Sequence, residues 1–112
     1  MAINSKKKGA RGEREFSRLC REHGYDVQRT AQYCGKTGEA ADVVGLPGIH
    51  VEVKRVERLE LYSAMFQAIR DSRPGEKPIV AHKRNNEIWY ITMRADDWFE
   101  LYREWEAGRE TP

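Results

Sequence analysis

Apolar and polar positions alternate most regularly over Ile49–Lys54, which places Ile49, Val51 and Val53 on one face of a strand and His50, Glu52 and Lys54 on the other. Around that stretch the pattern predicts a helix from about Gly12 to His23, with Phe16, Leu19 and Cys20 on its apolar side, Glu13 on the flank of that stripe, and Gly24 as the stop. Strands follow at Tyr25–Thr30 and Ala40–Leu46, separated by a polar loop over 31–39 that carries Gly35 and Gly38. Gly45-Leu46-Pro47-Gly48 reads as the turn into the strand at about His50–Val56. A second helix is expected over Leu61–Ser72, with Leu61, Met65, Ala68 and Ile69 on one side and Arg73-Pro74-Gly75 ending it. Strands at Pro78–Lys83 and Glu87–Met93 come next, joined at Arg84-Asn85-Asn86. A closing helix over Arg94–Ala107 carries Trp98, Leu101, Tyr102 and Trp105 at i, i+3, i+4 and i+7, a stripe expected to enter the core. The order α-β-β-β-α-β-β-α predicts an α/β fold, a mixed sheet of about five strands flanked by helices.

Length and composition narrow this picture. At 112 residues the chain is expected to be a single domain, 1–112, preceded by a flexible basic arm over residues 1–10. Hydrophobic residues make up 39%, enough for a packed core. No apolar run approaches the roughly 20 residues needed to cross a bilayer, and no apolar segment follows the N-terminal lysines as a signal peptide would require. No membrane partner is expected. Cys20 and Cys34 form neither a disulfide framework nor a zinc spacing, which favours a reducing, cytoplasmic setting.

The net charge of +2 is unevenly distributed. Residues 1–14 carry Lys6, Lys7, Lys8, Arg11 and Arg14 against Glu13 alone, whereas residues 94–112 carry three arginines against six acids. A basic N-terminal end on a nearly neutral chain suits a localised anionic partner such as a phosphate backbone. A solvated tail has the same composition.

The candidate chemistry lies on the polar face of the Ile49–Lys54 strand. A Glu-x-Lys pair alone decorates many solvated strand faces, but here the segment is apolar enough to lie inside a sheet, where an acid-base pair needs a compensating partner. Centring a hairpin on Gly45–Gly48 puts Asp42 opposite Glu52 or one position diagonal to it. Opposed side chains have Cβ atoms about 4.5–5.5 Å apart, so the two carboxylates repel unless a cation joins them. Glu13 on the rim of the first helix adds a third acid, reached directly from the basic arm.

Asp42 followed across a short hairpin by Glu52-Val53-Lys54 resembles the signature of the PD-(D/E)XK nuclease superfamily. Lys8-Gly9, then Glu13-Arg14-Glu15, then Gly24-Tyr25-Asp26-Val27-Gln28-Arg29 resembles its archaeal-type Holliday junction resolvases, which phages also encode. The resemblance covers about residues 7–93. It implies a restriction-endonuclease-like fold and a Mg²⁺-dependent, structure-selective endodeoxyribonuclease that resolves four-way junctions by paired symmetric cuts as a homodimer, with no small-molecule cofactor. Asp42 and Glu52 are then the main metal ligands, with Glu13 completing the set. Mg²⁺ is the expected ion and Mn²⁺ a substitute, since both favour oxygen ligands. Lys54 is expected to orient or deprotonate the attacking water, or to stabilise charge on the scissile phosphate. Arg14 and Arg29 match phosphate-contacting positions, joined by Lys6, Lys7, Lys8 and Arg11 of the basic end. Gln67 stands where some members carry a site glutamine. The loop hydroxyl of the resolvase group falls to Thr30 or Thr37. Ala41 replaces the proline that often precedes the first acid, and the closing helix has no counterpart in the motif set.

Other readings remain open at this level. The chain suits a nuclease of the same superfamily acting on flaps, nicks or duplex, or a non-catalytic DNA-binding module of the same fold; retention of all four site residues weighs against the latter. His50 reads as an ordinary strand histidine. The acidic outer face of the last helix argues against DNA there, leaving a dimer interface as its other use.

Overall fold

The computed structural model describes residues 5–30 and 41–109. Its elements are α1 (Ser5–Glu22), β1 (Gln28–Arg29), β2 (Val43–Val44), β3 (Ile49–Arg55), α2 (Leu61–Asp71), β4 (Lys77–Lys83), β5 (Tyr90–Met93) and α3 (Ala95–Arg109). They form one five-stranded sheet in the order β1-β2-β3-β4-β5. Only β3 and β4 pair in parallel; the other neighbours are antiparallel. The parallel pair needs a crossover, which α2 supplies. The mixed α/β architecture and the order of elements are those the sequence predicts.

The sheet is covered on both faces. On one side, Val51 and Val53 of β3 and Ile79 and Ala81 of β4 pack with Phe16 and Cys20 of α1. On the other, Val80 meets Ala64 and Ala68 of α2, flanked by Leu59, Leu61 and Met65. Strand alternation therefore sends the even-numbered residues of β3 toward α2 rather than toward solvent. His50 and Glu52 are buried at 2% and 1% exposure, and Lys54 is half-buried.

Two glycines fix how the layers meet. A Cβ at Gly12 would lie 2.9 Å from Cβ of Arg55 and 3.6 Å from Cγ1 of Val53, so the missing side chain lets α1 settle directly onto β3. Gly45 (φ +123°) crosses the Asp26–Val27 backbone so closely that a Cβ would come within 2.4 Å of the Asp26 carbonyl oxygen. Gly24 (φ +94°) ends α1: its N–H donates to Arg21 O and that of Tyr25 to Cys20 O, the paired bonds of a Schellman close.

Several boundaries differ from expectation. Residues 5–10 belong to α1, so the basic segment is helical from Ser5 onward; residues 1–4 lie outside the described part. Lys6, Lys7, Lys8, Ala10 and Arg11 have good helix propensity, and α1 runs through the single unfavourable Gly9 without a break. β1 and β2 are only two residues long, because the chain bends at Asp42 and β1 forms the sheet edge. The α2 stripe is rotated from its predicted position: Ala64, Ala68 and Asp71 are buried while Ile69 faces outward. The largest departure is α3. Trp98, Leu101, Tyr102 and Trp105 are 37–55% exposed, not core, and α3 has only sparse contact with the other elements.

Candidate active site

Glu52 is the most deeply buried acid among the described residues. Two side chains bracket its carboxyl group: His50 Nε2 lies at hydrogen-bonding distance, 2.9 Å, from Oε1, and Gln67 Nε2 of α2 donates to Oε2 at 3.4 Å. The other ring nitrogen of His50 lies 3.8 Å from Glu76. The His50 imidazole is thus buried at hydrogen-bonding distance from the Glu52 carboxyl group, a partnership that an ordinary strand histidine lacks.

Asp42 is 3% exposed and sits at the bend leading into β2. Continuing the Val43↔Val51 register by one residue sets Asp42 across from Glu52, as the hairpin argument requires. The pairing is irregular there. The Asp42 N–H donates to Val51 O at 2.9 Å, and its Oδ2 accepts the Val53 N–H at 2.7 Å. This side-chain bond ties the first acid to the strand that carries the second.

Glu13 is 8% exposed, on the flank of the α1 stripe where the helical wheel puts it, and accepts a bond from Arg29 Nε at 3.2 Å. It belongs to the α1 layer, whereas Glu52 faces α2. Among the described residues no group of three or more His, Cys, Asp and Glu side chains is gathered at metal-binding separation. Asp42 and Glu52 are two buried carboxylates on paired backbone segments, with oxygen donors only, which is the donor chemistry a hard divalent cation takes. Lys54 has no hydrogen-bond or ion-pair partner among the described residues.

Thr30 donates its hydroxyl to the Ala41 carbonyl and closes the β1–β2 edge, a structural use; Thr37 lies outside the described residues. Arg11, Arg14 and Arg29 line a groove of about 440 Å³ between α1 and β1, together with Glu15, Arg18, Arg21 and Gln28. Arg18 and Arg21 are absent from the motif reading, although the spacing 11, 14, 18, 21 sets all four arginines along one helical face. Glu15, the acid of this groove, is held by Arg55 at 2.6 Å and Arg11 at 3.2 Å. Burial opposes its ionisation, but those hydrogen bonds outweigh it and hold the carboxyl below its usual range. Lys6, Lys7 and Lys8 continue α1 toward its N-terminus.

The sequence model of the archaeal Holliday junction resolvase family (Hjc) matches residues 4–97. The chain belongs to that family. A 1.6 Å structure of Hjc from Archaeoglobus fulgidus, a Holliday junction resolvase from an archaeal hyperthermophile, resembles it with a TM-score of 0.59 and 25% identity, covering 77% of this chain and 72% of the other. No curated protein sequence matches. Membership assigns the chain to the junction-resolving nucleases, with branched DNA as substrate. The family match takes in the first three residues of α3 and ends at Asp97.

Proposed function

We propose that this resolvase hydrolyses four-way DNA junctions in a Mg²⁺-dependent reaction, as a two-fold homodimer whose two sites make paired symmetric cuts. The observation that carries the reading is the pair of buried carboxylates, Asp42 and Glu52, on paired backbone segments beside Lys54. Such acids are costly to bury without compensation, and a catalytic role accounts for their retention. Asp42 and Glu52 are the residues that would hold the ion, while Glu13, bonded to Arg29 in the α1 layer, stands apart from that pair. When bound, Mg²⁺ supplies charge stabilisation at the phosphate and lowers the pKa of coordinated water.

The other roles belong to the chain itself. Gln67 and His50 fix the Glu52 carboxylate by hydrogen bonds to its two oxygens. The Val53 N–H fixes Asp42. Lys54, without a competing partner, brings an ammonium to the attacking water or the scissile phosphate. Arg11, Arg14 and Arg29 present forked donors to the DNA backbone, with Lys6, Lys7 and Lys8 extending the positive field. Junction selectivity comes from the spacing of phosphates rather than from bases. A four-way junction is itself two-fold, so two-fold pairing of subunits matches its two cut sites.

The test compares a labelled four-way junction with a linear duplex of the same sequence, each with Mg²⁺ or EDTA, using wild type and Asp42→Asn. Symmetric nicks on the junction that require both Mg²⁺ and Asp42 are expected, with the duplex spared. Equal cutting of flaps or duplex overturns the substrate assignment, and cutting in EDTA overturns the metal dependence.

A further inference from the structure

A second groove opens at the C-terminal ends of the parallel strands β3 and β4, the end at which open α/β sheets take their ligands. It measures about 530 Å³, within the roughly 300–1,000 Å³ of small-ligand sites. Part of its lining is flat and apolar. The rings of His82 and Tyr90 stack there, 6.0 Å apart at 27°, with Leu59 and Leu61 in the same wall. His82 Nε2 stands 2.8 Å from Thr92 Oγ1, which fixes the ring. Burial keeps that imidazole below its ordinary value of 6.5, so the stack is uncharged at neutral pH. Tyr90 is 53% exposed, which leaves the stack open to a further planar group.

The rest of the lining is charged, with Arg58, Lys83 and Arg84 against Glu57 and Glu87. Both acids are engaged within the chain: Glu57 accepts the Asn85 N–H at 3.1 Å, and Glu87 lies 3.7 Å from Arg84. Arg58 has no hydrogen-bond or ion-pair partner among the described residues. An aromatic platform bordered by cations holds a single-stranded base by its face and the adjoining backbone by its charge. Position completes the case. The parallel register sets His82 beside Lys54, on the face of the sheet turned toward α2. Neighbouring strands lie about 4.8 Å apart, so the groove begins one strand away from the lysine proposed to act at the scissile phosphate. A nucleotide adjoining that phosphate reaches the stack once its base is out of the helix.

We propose that this groove receives one unpaired nucleotide of branched DNA beside the cut, its base on the Tyr90–His82 stack and its phosphate at Arg58. Freeing a base from intact duplex costs pairing and stacking, and costs least where the base is already unpaired or has lost a stacking neighbour, as at a branch point. The groove thus favours branched DNA without reading sequence, since every base has a face to stack. The proposal rests on the junction-resolving reading above and adds a source of selectivity beside the spacing of phosphates.

Junctions carrying 5-iododeoxyuridine at the nucleotides flanking the branch point test it, by photo-crosslinking to the wild-type chain in EDTA. A crosslink to Tyr90 from a nucleotide beside the cut is expected, and a linear duplex labelled at the same position should give none. Crosslinks that map only outside the groove overturn the proposal. Binding is then measured for Tyr90→Leu, Tyr90→Phe and Arg58→Gln, each shown to be folded by circular dichroism and melting. Tyr90→Leu is expected to weaken junction binding ~10-fold or more, and Tyr90→Phe, which keeps the ring, less than ~2-fold. Arg58→Gln should lower the slope of log binding constant against log salt by about 1. An abasic site at the crosslinking nucleotide should weaken wild-type binding as much as Tyr90→Leu does. Lesion and variant together should lose less than ~3-fold beyond either, because both remove one contact; a fully multiplicative loss overturns the proposal. Symmetric junction cutting with unchanged binding by Tyr90→Leu also overturns it and leaves the resolvase reading intact. A linear duplex with one central unpaired thymidine should bind more tightly than intact duplex, and only when Tyr90 is present. That preference in a protein that does not favour four-way junctions supports the groove and overturns the four-way substrate assignment instead.

Discussion

α1 and α3 are both amphipathic helices with aromatic residues on one face, yet only α1 is packed. Phe16 is 4% exposed, meets Trp89 at 5.2 Å and lies in the main core, whereas Trp105 is 55% exposed. Periodicity is the same signal in both cases. The difference lies in what stands opposite the stripe: β3 and β4 present Val51, Val53, Ile79 and Ala81 to α1, and among the described residues no comparable apolar surface faces α3. An amphipathic helix thus records that something covers it, not that the covering belongs to the same molecule.

That contrast can be broken most sharply by truncation. Phe16→Ala is expected to lower unfolding free energy by about 3–5 kcal/mol, and Trp105→Ala by less than about 0.5 kcal/mol when both are measured on the monomer in urea. Equal losses would mean that α3 is packed in solution. Next in size, Gly12→Val drives a side chain into Arg55 and should cost about 2 kcal/mol, while Gly108, with no atom near its Cβ position, accepts Ala without loss. The charged faces separate next. Arg29→Ala and Arg18→Ala should each lower the slope of log binding constant against log salt by about 1 on junction DNA, and Glu104→Gln should leave that slope unchanged.

The smallest effect concerns pH. Burial pushes the His82 imidazole below its ordinary value of 6.5. Between the depressed and the ordinary value the unfolded chain binds more protons than the fold, so stability is complete above about 6.5 and declines as pH falls. Urea midpoints should show the decline, and His82→Asn should flatten it.

Much of the nuclease body was legible in the residue pattern because each element had a local signal. Alternation marked β3, Gly24 closed α1, and Gly45 and Gly48 framed the hairpin that sets Asp42 against Glu52. Glu13 fell on the rim of the α1 stripe by helical geometry alone. What the pattern missed depends on tertiary neighbours. The alternation of Ile49–Lys54 identifies two faces, but not that α2 buries the second; hence His50 read as ordinary and Gln67 as marginal. In Ser5–Ala10 the cluster of lysines suits a solvated arm and a helix equally, and composition does not separate them. Arg18 and Arg21 have no counterpart in the resolvase motif, and their spacing with Arg11 and Arg14 is the one signal that points to them. Nothing local distinguishes the α3 stripe from a core stripe.

The bond between Arg29 and Glu13 has a further consequence. Its two side chains are only 19% and 11% exposed, so each is a counter-ion that makes the partial burial of the other tolerable. The pair joins α1 to the edge strand β1 and so fixes the distance between the two walls of the arginine-lined groove. An alteration of either residue is felt by the other, and Arg29 and Glu13 cannot be altered independently.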